Sequence, residues 1–196
     1  GSGLRKASEQ YGGSEFSCLL GQEMAGYATG EVFFASQALG FRHSHLDAGG
    51  YSFDQNNDSK EVEAAVEFLV KDERARTGLT AMVACLFARG AYSPARLSEC
   101  LKSIGYTVLA DGLDSVSGRI QKKRWQIRFA TGYDPLAVSI PRRFYEISTW
   151  KGPIDGPYLE KLCRAYASAI QDMAQSDTSP RGVESDPQLS DRKKEG

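Results

Sequence analysis

Histidine is scarce in this chain. Its 196 residues include two, His43 and His45, so any chemistry that needs an imidazole must use one of this pair. Cysteine is hardly more abundant: Cys18, Cys85, Cys100 and Cys163 form no CxxC pair. They cannot build a four-cysteine zinc or iron–sulfur site from neighbouring ligands, and any cluster here would need cysteines from elsewhere. Nor do they make the even framework of a small secreted domain, which points to a reducing, cytoplasmic setting with most thiols serving as small buried hydrophobes. A dominant charge is also missing. The net charge of −1 gives no general pull towards nucleic acid or an anionic membrane. The longest unbroken apolar run, residues 81–88, falls far short of the ~20 residues that a spanning helix needs. No signal-peptide pattern and no internal repeat are visible. The length suits one domain with a real core. The chain opens Gly-Ser-Gly without a methionine, and the expectation is a piece of a longer protein, with residues 1–9 a leader or expression remnant.

What is present reads as mainly α: a multihelical domain over residues 10–175 with an irregular, partly extended N-terminal lead-in. Residues 32–39 form a short helix stopped by Gly40. The polar run 54–59 favours turns. Asp58 or Ser59 caps a helix in which Val62, Ala65, Val66 and Leu69 follow i, i+3, i+4, i+7 spacing. A further helix over 79–87 carries Leu79, Met82, Val83, Leu86 and Phe87 on one stripe. Ser93-Pro94 opens the next, with Leu97, Leu101 and Ile104 inward and Gly105 at its end. A longer helix from about 111 to 130 places Leu113, Val116, Ile120 and Ile127 on one face. The last helix has Leu159, Leu162, Cys163, Tyr166, Ile170 and Met173 at helical spacing. From 176 to 196 almost nothing is apolar, and a disordered polar tail is expected.

Three features could carry chemistry. Cys85 falls off the apolar stripe of its helix, beside the small residues Gly78 and Ala81. It reads as an inert half-buried thiol, a cluster ligand or a helix–helix contact. His43 and His45, two apart, would point the same way on a strand and with Asp47 could form a metal patch. One of them could instead be a general acid or base, since an imidazole titrates near neutral pH. Both could equally be satisfied by backbone in a tight loop ahead of Gly49-Gly50, where glycine lets a ligand approach closely. The basic run Arg119, Lys122, Lys123, Arg124, Arg128, Arg142 and Arg143, with Trp125 and Phe129 interleaved, could hold phosphates. The plainer account is a solvated helix face balanced by Glu61, Glu63, Glu67, Asp72 and Glu73.

At these residues the chain resembles the C-terminal part of the aldehyde ferredoxin oxidoreductase family, the tungsten- or molybdenum-pterin enzymes. Gly21-Gln22-Glu23-Met24-Ala25-Gly26-Tyr27 is similar to the family's Lys-Gly-x-Glu-x-Pro-Gly-Tyr, with Ala25 in place of proline. His45-Leu46 stands where the family has a His-Leu pair lining the metal pocket. Thr80 to Cys85 matches an Asp-x-x-Gly-Leu-Cys motif, with Thr80 for the aspartate and Val83-Ala84 for Gly-Leu. The stretch Cys85-Leu86-Phe87-Ala88-Arg89 resembles the segment that brings a fourth cysteine to the cluster. Ile140-Pro141-Arg142-Arg143-Phe144-Tyr145-Glu146 resembles the late Leu-Pro-Glu-Arg-Phe-Phe-Glu element. The match runs from about residue 10 to 175.

The resemblance implies that Cys85 is the fourth ligand of a [4Fe–4S] cluster whose CxxCxxxC ligands lie on an upstream domain or a companion subunit. It implies that His45 is a catalytic pocket residue that exchanges a proton during aldehyde oxidation, and that Thr80, Val83 and Ala84 border a tungsten- or molybdenum-pterin. A ferredoxin-like carrier would take the electrons, with no nucleic acid and no membrane involved. The isolated piece is expected to be inactive. The alternative is a stand-alone helical interaction or scaffold module without a cofactor.

Overall fold

The computed structural model describes residues 3–11, 18–19, 22–23 and 28–176, and it is mainly helical. Helix α1 spans Gly3–Tyr11, and the two-residue strands β1 (Cys18–Leu19) and β2 (Gln22–Glu23) pair antiparallel. The expected tail from 177 onward lies outside the described residues, as does the Gly21–Tyr27 motif apart from Gln22 and Glu23.

The core is organised around α2 (Glu31–Leu39), whose Val32, Phe33, Phe34, Ala35, Ala38 and Leu39 are all buried. A helix that is apolar all round must be covered on every side, and α2 is covered by α3 (Gly50–Asn56) and α8 (Gly156–Gln175). Each fully buried Phe or Leu stabilises the fold by roughly 1.5–3 kcal/mol. Gly50 permits the α2–α3 contact, because a Cβ there would lie 2.5 Å from the Val32 carbonyl oxygen. The polar stretch expected to turn is therefore helical through Asn56. Its Asp54 is buried and accepts hydrogen bonds from Val32 N, Phe33 N and the Thr29 hydroxyl, capping α2 from a neighbouring helix. Burial pushes the Asp54 carboxyl up to about 6.

Helix α8 meets expectation. Asp155 caps its N-terminus through Tyr158 N, and Leu159, Leu162, Tyr166 and Ile170 are buried against α2 and α4. Helix α5 (Pro94–Ser103) is capped by Ser93 and buries Leu97 and Leu101, whereas Ile104 is exposed. Helix α6 (Thr107–Asp111) follows it, and β3 (Ser148–Thr149) pairs with β4 (Gly152–Pro153) ahead of α8.

Two helices differ from expectation. Helix α4 (Val62–Ala81) is one continuous helix of 20 residues, and the separate helix over 79–87 does not form. Leu79 belongs to the end of α4, and residues 86–88 make a single 3-10 turn. Helix α7 (Leu113–Ala130) buries Ser117, Gln121 and Trp125, not the Leu113–Val116–Ile120–Ile127 stripe. The reason lies in α4, its main packing partner, whose buried face changes from Ala65 and Leu69 to Glu73, Arg76 and Thr77. Trp125 Nε1 donates to Glu73 Oε1 at 3.0 Å, and Gln121 Nε2 donates to Glu73 Oε2 at 3.1 Å. A buried carboxylate must be met by donors, so α7 turns its polar face inward. Among the described residues, no helix is long and apolar enough to cross a membrane.

Candidate functional site

The histidine segment is a run of turns between α2 and α3, not a strand. His43 has φ 54 and is buried. Its Nδ1–H donates to the Ala38 carbonyl at 2.9 Å, and its Nε2 accepts from Arg128 Nη2 at 2.6 Å. Burial, with the Arg128 charge adding to it, lowers the His43 pKa against the opposing Ala38 bond. The ring is a neutral, satisfied core histidine. Asp47 is buried and accepts from Arg42 N at 2.7 Å and Arg42 Nε at 2.8 Å, with Arg124 Nη2 3.6 Å away. The His43–His45–Asp47 metal patch is therefore not formed. Two of its three members face inward to other partners, and no group of three metal-ligating side chains occurs among the described residues.

His45 is half-buried, and α4 holds its backbone. Arg76 Nη1 donates to the His45 carbonyl at 3.3 Å, Arg76 Nε donates to Asp72 Oδ2 at 2.5 Å, and Gly49 N donates to the same Asp72 oxygen at 2.6 Å. Burial first, and the Arg76 charge second, lower the His45 pKa, with Asp47 opposing. At neutral pH the His45 imidazole is uncharged and able to accept a proton. Gly49-Gly50 serves packing and not ligand approach. A Cβ on Gly49 would lie 2.5 Å from Arg76 Nη2, and Gly50 faces α2.

The second region begins where α4 ends. Val83 has φ 58. Its N–H donates to the Thr80 carbonyl, and the Ala84 N–H donates to the Leu79 carbonyl. These are the paired bonds of a Schellman cap, in which Val83 occupies the left-handed position that glycine usually fills. Two residues later Cys85 is exposed with a free thiol. Val83 is 94% exposed and Phe87 81%. The segment is tied back to the histidine side by Arg89, whose Nη2 donates to Tyr51 Oη at 2.7 Å. Tyr51 lies in the first turn of α3, directly after the histidine loop. So His45 and the Cys85 turn both border the C-terminal half of α4, the first through Arg76 and the second through the cap.

These positions decide how well the expected cofactors suit the residues present. A single exposed thiol suits a cysteine that contributes one ligand to a cluster held elsewhere. The pterin contacts do not fit. The Thr80 hydroxyl donates to the Arg76 carbonyl at 2.9 Å, and the N–H groups of Val83 and Ala84 are consumed by the cap. None of the three has a donor left for a pterin, and no carboxylate stands where the motif has its aspartate.

The basic run divides. Arg119 and Lys123 are exposed, and Arg142 pairs with Glu146 at 2.8 Å. Arg124 and Arg128 turn inward. The Arg124 guanidinium stacks 4.0 Å from the Phe41 ring and donates to Thr77 Oγ1 at 2.7 Å. Arg128 lies 4.2 Å from the Tyr133 ring. Helical spacing of Ser117, Gln121 and Trp125 was the available signal for this inward polar face, with Glu73, Thr77 and Ala81 at matching intervals on α4. Burial pushes Glu73 up to about 7. No protein-family model, no curated protein and no solved structure matches the chain.

Proposed function

We propose that the chain is the C-terminal helical part of an oxidoreductase resembling the aldehyde ferredoxin oxidoreductases. In this reading Cys85 supplies one thiolate to a [4Fe–4S] cluster whose other ligands lie on an upstream domain or companion subunit. The observation that carries it is the conformation of position 83. The family motif places glycine there, two residues before its cysteine, and Val83 takes φ 58, which glycine adopts without strain and a β-branched residue does not. A backbone that keeps the glycine conformation after losing the glycine is what a divergent member of such a motif would retain.

When bound, such a cluster takes up and releases single electrons, here towards a ferredoxin-like carrier. This chain's own residues present the Cys85 thiol on a capped helix end and hold the His45 loop against α4 through Asp72 and Arg76. They also keep the His45 ring uncharged and able to accept a proton at a ring nitrogen. Anaerobic purification of the full-length protein, with metal analysis and electron paramagnetic resonance, tests the reading. Iron in the full-length protein is expected, and an iron-free protein contradicts it.

A helical interaction module without a cofactor is the second reading. It is favoured by the apolar side chains exposed between positions 83 and 109, among them Val83, Phe87, Ile104 and Val108. It predicts partner binding that is unchanged by Cys85→Ser and an iron-free native protein.

A further inference from the structure

A cavity of about 410 Å³ lies between the C-terminal half of α4, the start of α7, helices α5 and α6, and the segment that follows Cys85. Its size falls in the range of small-molecule sites. The walls are mostly carbon, from Leu79, Leu97, Ala110 and Leu113, of which the first three are buried. The floor is set by the close approach of α4 and α7. A Cβ on Gly78 would lie 2.4 Å from Ser117 Oγ, so the helices touch there and no side chain fills the space above.

The charges at this cavity are unequal in what they have left to offer. Its three carboxylates are each met by a cation: Asp72 by Arg76 at 2.5 Å, Asp111 by Lys102 at 2.7 Å and Asp114 by Arg74 at 3.3 Å. Arg89 differs. It is an exposed lining residue whose guanidinium donates to two neutral oxygens, the Leu86 carbonyl at 3.1 Å and Tyr51 Oη at 2.7 Å. Among the described residues it pairs with no carboxylate. An apolar cavity with one uncompensated guanidinium at its edge matches a ligand that is carbon at one end and anionic at the other. The planar fork of arginine suits a carboxylate in particular.

We propose that this cavity binds a small apolar carboxylate, with the hydrocarbon or aromatic part between α4 and α5 and the carboxylate on Arg89. Its occupancy depends on neither a cluster nor a pterin, so failure of the oxidoreductase reading would leave it standing. The test is titration of the full chain with octanoate and, as the neutral control, 1-octanol, followed by amide chemical shifts. Octanoate shifts residues of α4, α5 and the 89–92 segment and binds about tenfold more tightly than octanol, the gain expected of one charge-assisted contact. Arg89→Gln removes that tenfold difference and keeps octanol binding, and Leu97→Trp, which fills the cavity, abolishes both. Equal affinity for the two probes in the native chain, shifts confined to other surfaces, no binding of either probe, or an Arg89→Gln variant that still prefers octanoate overturns the proposal.

Discussion

The chain has two non-glycine residues in the left-handed backbone region among those described, His43 and Val83, at nearly the same φ, and their surroundings are opposite. His43 is buried, its ring nitrogens are tied by hydrogen bonds to α2 and α7, the following Gly49 is tied to α4, and the neighbouring Asp47 is tied to Arg42 within the loop. Its unusual backbone is over-determined by contacts. Val83 is the reverse: its side chain lies in solvent, and only the two cap bonds hold its backbone. Strain with compensation is architecture. Strain held by a helix cap alone, beside an exposed thiol, is the outlier on which the proposed role of Cys85 rests.

The comparison breaks most visibly where the compensation is removed. Asp47→Ala strips the histidine loop of the buried carboxylate that accepts from Arg42 N and Nε, and chemical denaturation should show a loss of about 3 kcal/mol. The buried seam beneath the loop responds to pH. The Glu73 pKa is about 7 in the folded chain against an ordinary 4.5, so between these values the folded state keeps a proton that the unfolded state releases. Glu73 therefore favours folding below 4.5, and that contribution is lost as pH rises to 7, by roughly 3 kcal/mol. Asp54 adds a fall of the same sign up to about 6, and the two histidines oppose it. The difference between native and Glu73→Gln stability therefore isolates Glu73. It should shift against the native chain across this window, and a pH-independent difference would contradict the assignment.

The same substitution at the two left-handed positions should then act with opposite signs. His43→Gly relieves the backbone but forfeits the Ala38 and Arg128 bonds and the buried ring, for a net loss of about 2 kcal/mol. Val83→Gly forfeits nothing buried and should raise stability by about 0.5–1 kcal/mol, the left-handed penalty less the added entropy of glycine. Two losses, or two gains, in parallel melts would collapse the distinction. The smallest effect concerns His45. Arg76→Gln removes a nearby positive charge, so the His45 pKa should rise towards the ordinary histidine value of 6.5. Titration of the ring resonances reads this directly, and an unchanged or lowered midpoint would remove Arg76 from its role.

Sequence patterning located the elements whose stability comes from local signals. The Ser93-Pro94 start of α5 and the i, i+4 stripe of α8 are there as read. It failed where tertiary partners decide. Leu79, Met82, Val83, Leu86 and Phe87 keep helical spacing across a helix end, because the residue that ends α4 is a valine and carries none of the glycine signal that usually marks such a cap. Asp54 reads as a turn residue until α2 presents two backbone N–H groups to it. The inward face of α7 is polar because Glu73 is already buried on α4. Ser117, Gln121 and Trp125 keep helical spacing, but only that partner decides that their face and not the apolar one turns inward. At the candidate site, the thiol and the two histidines were visible as residues. That one histidine is core and the other is held by Arg76 depended on contacts 31 to 85 residues apart in the chain.

Iron content and the reduced-state electron paramagnetic resonance spectrum of the anaerobically purified full-length protein, compared with its Cys85→Ser and Cys100→Ser variants, test the central claim most directly. Cys85→Ser should lose the cluster signal or change its form, while Cys100→Ser, at another exposed thiol, keeps it. An unchanged spectrum and iron content in Cys85→Ser would contradict the account.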